Sequence, residues 1–352
     1  MRTFLYSFLL FLTAAVQAQD NVSARGARCV AVDSRDNLWV GVSDRLLKVT
    51  PDGKPTLVLD GWKNYIKPLT VGISYMAIDS RDNLYVVASR DNLIRKITPE
   101  GKISLFAGQP YQYSVIDGPL AKANFRSLDH ITIDRTGNMY VTDADEKTPK
   151  TNLSYHNYVI RHISPAGEVT TLRDKATGEK LWFDLIDGLT SDAEGNLYIS
   201  DAYPRCIKKL TLTPDRRQAT VSVVAGQCGK REFHPVYTPG DVKTAELFTP
   251  GPLAFSPKGE LHFADVRLHR IIKIAQNQVV DVAGNSKIQK GVNMGGRATE
   301  GYKDGPARQA LFDFPLGNAI TFDSRGNLYI VDGGNYCIRK LSADGIVSTF
   351  LK

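Results

Sequence analysis

Twelve residues in this chain are spaced so that they could bring chemistry to one point. Arg28, Ser74, Asp129, Asp187, Gly251 and Asn318 each stand just ahead of a short apolar run. One residue further on come Cys29, Tyr75, His130, Gly188, Pro252 and Ala319. Two carboxylates, an amide, an imidazole and an arginine gathered on one axis would form a polar ligand site, lined further by Ser74 and Tyr75. Asp129, Asp187 and Asn318 are oxygen donors of the kind Ca2+ or another divalent cation takes. A cation there would polarise a carbonyl while one carboxylate acted as base. The chain has no His-Glu-x-x-His, no Cys-x-x-Cys, no phosphate loop and no nucleophile elbow, so any chemistry has to come from this set.

The elements that would gather these residues are repeats. The segment from Asn318 to Lys352 contains four apolar runs, Ala319–Phe322, Leu328–Val331, Cys337–Leu341 and Ile346–Leu351, separated by Gly/Asn/Asp turns. Such runs read as four strands joined by tight hairpins. The same pattern recurs: Val30-Ala-Val-Asp33 before Asn37-Leu-Trp-Val40, Met76-Ala-Ile-Asp79 before Asn83-Leu-Tyr-Val86, and Ile131-Thr-Ile-Asp134 before Asn138-Met-Tyr-Val141. It continues with Leu189-Thr-Ser-Asp192 before Asn196-Leu-Tyr-Ile199 and Leu253-Ala-Phe-Ser256 before Glu260-Leu-His-Phe263. One four-stranded sheet cannot cover its own faces, so six copies imply a closed ring of blades. The expected fold class is all-β, a six-bladed β-propeller of four-stranded antiparallel blades, at roughly 28–60, 74–108, 129–173, 187–226, 251–284 and 318–352. With each first strand innermost, no strand is shared at closure, and the twelve residues gather at one mouth of the central channel.

Asp33, Asp79, Asp134, Asp192 and Asp323 precede the first hairpins, where a carboxylate can accept backbone N–H bonds across the turn. The second aspartate of each repeat, at 143, 201, 265 and 332, reads as turn chemistry as well. The formal charge of +7 is spread over third strands as Arg/Lys pairs, such as Arg95-Lys96 and Arg339-Lys340, and reads as a solvated strand face. No aromatic-basic groove signature accompanies it, so nucleic acid is not an expected partner.

Met1–Ala18 has one basic residue, an apolar run over Phe4–Leu12, and small residues at Val16 and Ala18, the pattern of a signal peptide cleaved before Gln19. Residues 19–352 are then one exported domain, periplasmic or secreted, with no membrane span and a monomeric state expected. Its four cysteines would meet an oxidising compartment. Cys206 opens a third strand and Cys228 follows the fourth, so antiparallel pairing brings them together as a disulfide. A Cys29–Cys337 bridge would staple the ring, with free thiols as the alternative.

The repeat unit, an apolar strand, Asp, Gly-Asn-Leu-Tyr-Val and Ile-Arg-Lys-Ile, resembles the NHL repeat from about Arg28 onward. The connectors share the resemblance: Ala107-Gly108 to Asp117-Gly118-Pro119 and Ala123-Asn-Phe125, Ala225-Gly226 to Ala245-Glu-Leu-Phe248, and Ala283-Gly284 to Asp304-Gly305-Pro306 and Ala310-Leu-Phe312. A second, local resemblance runs over Ile186-Asp-Gly-Leu-Thr-Ser-Asp192, which is similar to the Asp-Gly stretch of gluconolactonase-type propellers. That resemblance implies a cation-binding and catalytic role for Asp187 alone. Arg28-Cys29 and Asp129-His130 stand where that family carries its other ligands. The expected function is therefore an exported binding propeller that recognises a protein, glycan or small molecule without a required cofactor. Loops such as Thr148–Tyr158 and Asn285–Gly301 would contribute to recognition. The alternative is a divalent-cation-dependent hydrolase or lyase centred on Asp129, His130, Asp187 and Asn318.

Overall fold

The computed structural model describes residues 22–61, 72–87, 91–145, 158–228, 237–285, 298–315 and 319–352. The expected signal peptide, Asn318, and most of the 148–158 and 285–301 loops lie outside these. Six sheets, each built on four antiparallel strands, form a six-bladed propeller. In each, four strands follow in chain order from the channel outward; in blade one they are Ala27–Val32, Leu38–Val42, Arg45–Val49 and Pro55–Asp60. No sheet mixes strands from the first and sixth repeats.

Four blades carry a short fifth strand that the repeat pattern does not announce. Gly118–Pro119, Gly240–Asp241 and Gly305–Pro306 pair antiparallel with the outermost strands of blades three, five and six. Arg173–Asp174 pairs parallel with that of blade four. These short strands, two of them supplied by Asp-Gly-Pro connectors, are edge protection, laid over a strand whose N–H and C=O groups would otherwise face water unpaired.

The described core divides into six clusters, one between each pair of neighbouring blades. The seam between blades six and one is built like the rest: Tyr329, Val331 and Ile338 pack on Val30, Val40 and Leu47. The first hairpins repeat one bond there. Ser34 of blade one donates its hydroxyl to Asp82 of blade two at 2.7 Å, and Ser324 of blade six to Asp36 of blade one at 2.8 Å. Asp36 and Asp82 sit at φ 61° and 60°, where most other blades use glycine.

The first-strand aspartates close their hairpins as expected. Asp33 Oδ1 accepts from the backbone of Arg35 and Asn37 at 3.0 and 2.9 Å, and Asp323 repeats this with Arg325 and Asn327. One expectation is incomplete and one needs correction. Two of the second aspartates do hold the turn that follows them, Asp265 through the Leu268 N–H at 3.2 Å and Asp332 through the Asn335 amide at 3.0 Å, and all four also reach back to the connector entering their own blade. Asp143 accepts from the backbone of Arg126 and Ser127 at 3.1 and 2.8 Å, Asp201 from Leu185 at 3.2 Å, and Asp265 from Phe248 and Thr249 at 3.1 and 2.9 Å.

The third-strand arginines are not solvated. Arg161 is fully buried, pairing with Asp143 at 2.9 Å and Asp117 at 3.0 Å, donating to two connector carbonyls, and lying over the Phe125 ring. Arg339 does the same with Asp332, Asp304 and Phe312. A planar guanidinium with five donors can satisfy two carboxylates and two carbonyls at once, which an ammonium cannot.

Candidate functional site

The aspartate clasps matter because the connector they hold leads directly into the innermost strand. Asp143 fixes Arg126-Ser127, just upstream of Asp129-His130, and Asp201 fixes Leu185, just upstream of Asp187. At that entry, among the described residues, four innermost strands are bulged. The register slips between Ala27 and Cys29, Leu128 and Ile131, Ile186 and Gly188, and Pro250 and Leu253. Arg28, Asp129-His130, Asp187 and Gly251-Pro252 are therefore the residues released from the ladder. A bulge re-aims side chains that regular alternation would send into the blade interfaces.

The structure brings several of the expected residues together. The Tyr75 and His130 rings lie tilted against each other, 4.0 Å between centroids with 42° between planes, and the Tyr158 hydroxyl reaches the Asp129 carboxylate at 3.4 Å. His130 is 7% exposed, and its Nδ1 has no hydrogen-bond partner. Its backbone N–H is held by Thr142 at 2.9 Å. Asp187 leans over blade five: a Cβ on Gly251 would lie 3.4 Å from its Oδ2. Gly188 is required in turn, since a Cβ there would come within 2.5 Å of the Gly251 carbonyl oxygen. Tyr75, Asp129 and Asp187 are half-buried, open to the channel but surrounded by protein.

The electrostatics follow from that setting. Burial, reinforced by the Asp129 charge, pushes the Asp187 carboxyl up to about 7. Burial holds the His130 imidazolium below its ordinary range, although Asp129 and a backbone hydrogen bond with Asp187 oppose it. Burial first, then Asp129 and Asp187, raises the Tyr75 phenol. Near neutral pH the site therefore holds a neutral His130 imidazole and a protonated Tyr75 phenol beside the Asp187 carboxyl, which titrates at about 7.

Other expected members behave differently. Arg28 is exposed, while Ser74 is 3% exposed and donates its backbone N–H to Val87. Cys29 is buried with its thiol packed toward the Ile73 carbonyl, and burial raises its pKa. Cys29 and Cys337 are both free, so no bridge staples the seam; Cys206–Cys228 is a disulfide, with Cα atoms 5.4 Å apart. Among the described residues no three carboxylate, imidazole or thiol groups converge as a metal's ligands would. Tyr158 was not anticipated. It opens a third strand, and only the folded blade brings it over the first.

Comparison with known proteins gives a fold and no family. No family model matches the chain. An auxiliary nutrient binding protein from Bacteroides thetaiotaomicron superposes with a TM-score of 0.63 at 17% identity, over 93% of this chain and 70% of that one. A virginiamycin B lyase from Staphylococcus aureus aligns at 0.50 and 14%, over 94% and 85%. A protein described as a candidate gluconolactonase aligns at 0.54 and 11%, over 94% and 90%. At these identities the likeness is one of architecture.

Proposed function

We propose that this chain is an exported NHL-type propeller that binds a small, hydroxyl-rich ligand, a glycan unit or polyol, at the mouth formed by Tyr75, Asp129, His130, Tyr158 and Asp187. The observation that carries the reading is the unpartnered Nδ1 of buried His130, a ring that lies against Tyr75 and beside the Asp129 charge. A buried polar atom left unpaired costs about 1–3 kcal/mol, which a ligand hydroxyl would recover. Carboxyl and carboxylate oxygens accept from neighbouring hydroxyls, and aromatic faces pack on sugar C–H surfaces. The bulges support the reading, since they release Asp129, His130 and Asp187 from the ladder at the channel mouth. The solved neighbour described as a nutrient binding protein accords with it, and the N-terminal segment and the disulfide support export.

The test is a calorimetric titration of the mature chain with a panel of mono- and oligosaccharides, beside Asp129→Asn and His130→Ala variants. Saturable binding to at least one sugar, weakened about tenfold or more in both variants, is the expected result. A panel without saturable binding would overturn it.

A second reading is favoured by Asp187. A carboxyl titrating near neutrality suits a general acid or base, so a divalent-cation-dependent hydrolase or lyase of lactone type is the alternative. Asp129 and Asp187 would supply two oxygen-bearing side chains, fewer than the six to eight oxygens around calcium, and ligand or water would have to complete the shell. Metal analysis of protein purified without chelator, with a lactone and ester screen, separates the two readings.

A further inference from the structure

The channel has a second mouth, at the far end of the innermost strands, which the proposed function does not use. There the first hairpins meet around a cavity of about 880 Å3 walled by all six innermost strands. These strands pair on one side only, so their inner edges offer unpaired backbone donors and acceptors to whatever fills the channel. The hydroxyls of Thr132, Thr190, Ser191 and Thr321 add to them. A second cavity of about 320 Å3 adjoins the first, and Arg135 lines both.

The charge at this rim is sorted by depth. The hairpin aspartates face inward and are consumed there, Asp33 by Lys48 at 2.9 Å and Asp192 by Lys209 at 3.2 Å, in addition to the turn N–H groups. Asp36 and Asp82, nearer the surface, are engaged by Ser324 and Ser34. What the hairpins turn toward water is basic: Arg35, Arg81, Arg135, Lys258 and Arg325 are all exposed, against Glu194. Arg325 also reaches Asp36 at 3.6 Å.

We propose that this mouth is a second binding site, for a small multiply charged anion bearing carboxylate or phosphate groups. The guanidinium of Arg135 and the ammonium of Lys258, both lining the cavity, grip the charged end and the hydroxyl-lined channel receives the rest. Guanidinium forks match carboxylate and phosphate oxygens in pairs, and a rim of one sign raises the local concentration of the opposite one. The site shares no side chain with the proposed sugar site, so either can fail without the other.

The experiment is a titration of the mature chain with citrate, and separately with pyrophosphate, at constant ionic strength. Saturable one-site binding of at least one of them is expected. It should be weakened about fivefold or more in Arg135→Gln and further in the Arg135→Gln/Lys258→Gln pair, and unchanged in Asp187→Asn at the opposite mouth. Arg135 and Lys258 are exposed, and melting temperature serves as the folding control. No saturable binding of either anion overturns the proposal. So does equal binding in the double variant, or binding lost only in Asp187→Asn, which would move the anion to the other mouth.

Discussion

At the scale of single residues, Asp187 is the informative group. Its carboxyl is raised in the fold from 3.8 to about 7, so between those values the folded chain holds a proton that the unfolded chain has released. Its stabilising contribution is therefore present at low pH, falls as pH rises from about 4 through 7, and is gone above that. Asp187→Asn keeps the shape and removes the charge. It should melt higher than wild type at pH 8, by an amount corresponding to about 2–4 kcal/mol, and nearly equally at pH 4.5. Thermal melts across pH check this. The turn aspartates run the other way: against their own burial, Asp33, Asp79 and Asp192 are held low by asparagine amide and backbone N–H donors, with a lysine added at Asp33 and Asp192, so their contribution is lost in acid as pH falls through the depressed values. The sequence made Asp129, His130 and Asp187 legible as a group because repeat phase alone aligns them. The bulge that frees them was not legible, since it depends on where the connector is clasped. Tyr158 stayed hidden for a related reason: it arrives from another strand of its blade.

At the scale of elements, the buried arginines and the disulfide make separate demands. Arg339→Met would leave Asp332 buried beside an emptied guanidinium site and should cost about 3–5 kcal/mol. Arg339→Lys should recover little, because an ammonium cannot serve Asp332, Asp304 and two carbonyls together. Urea denaturation of both variants decides it. The Cys206–Cys228 bond closes 22 residues, and replacing both with serine should cost about 3 kcal/mol on chain-entropy grounds. Thiol titration should find Cys29 and Cys337 unreactive in the native chain and reactive in denaturant. Here the sequence was misleading in one respect. An Arg-Lys pair on a strand alternates faces, and reading both as solvated missed that one face meets the Asp-Gly connector of the same blade. The lysine of each pair stays outside: Lys340 lies over the Tyr329 ring.

At the scale of the whole molecule, six in-phase repeats were enough to specify the ring, because no single sheet could cover itself. The two-residue fifth strands were not, since nothing in Gly-Pro announces pairing until the connector has reached its blade. The seam between blades six and one uses the same serine–aspartate bond as the interface between blades one and two, so Ser324→Ala and Ser34→Ala should destabilise alike, each by about 0.5–1 kcal/mol. Equilibrium denaturation of the pair tests this, and a markedly larger loss in Ser324→Ala would make the seam special. In time, however, the two bonds differ. Ser34 and Asp82 are 48 residues apart, whereas Ser324 and Asp36 are separated by 288. Hairpins within a blade are local and quick to form, while contacts so distant along the chain wait for everything between them. Closing the circle therefore asks this one interface to join segments that lie almost the whole chain apart.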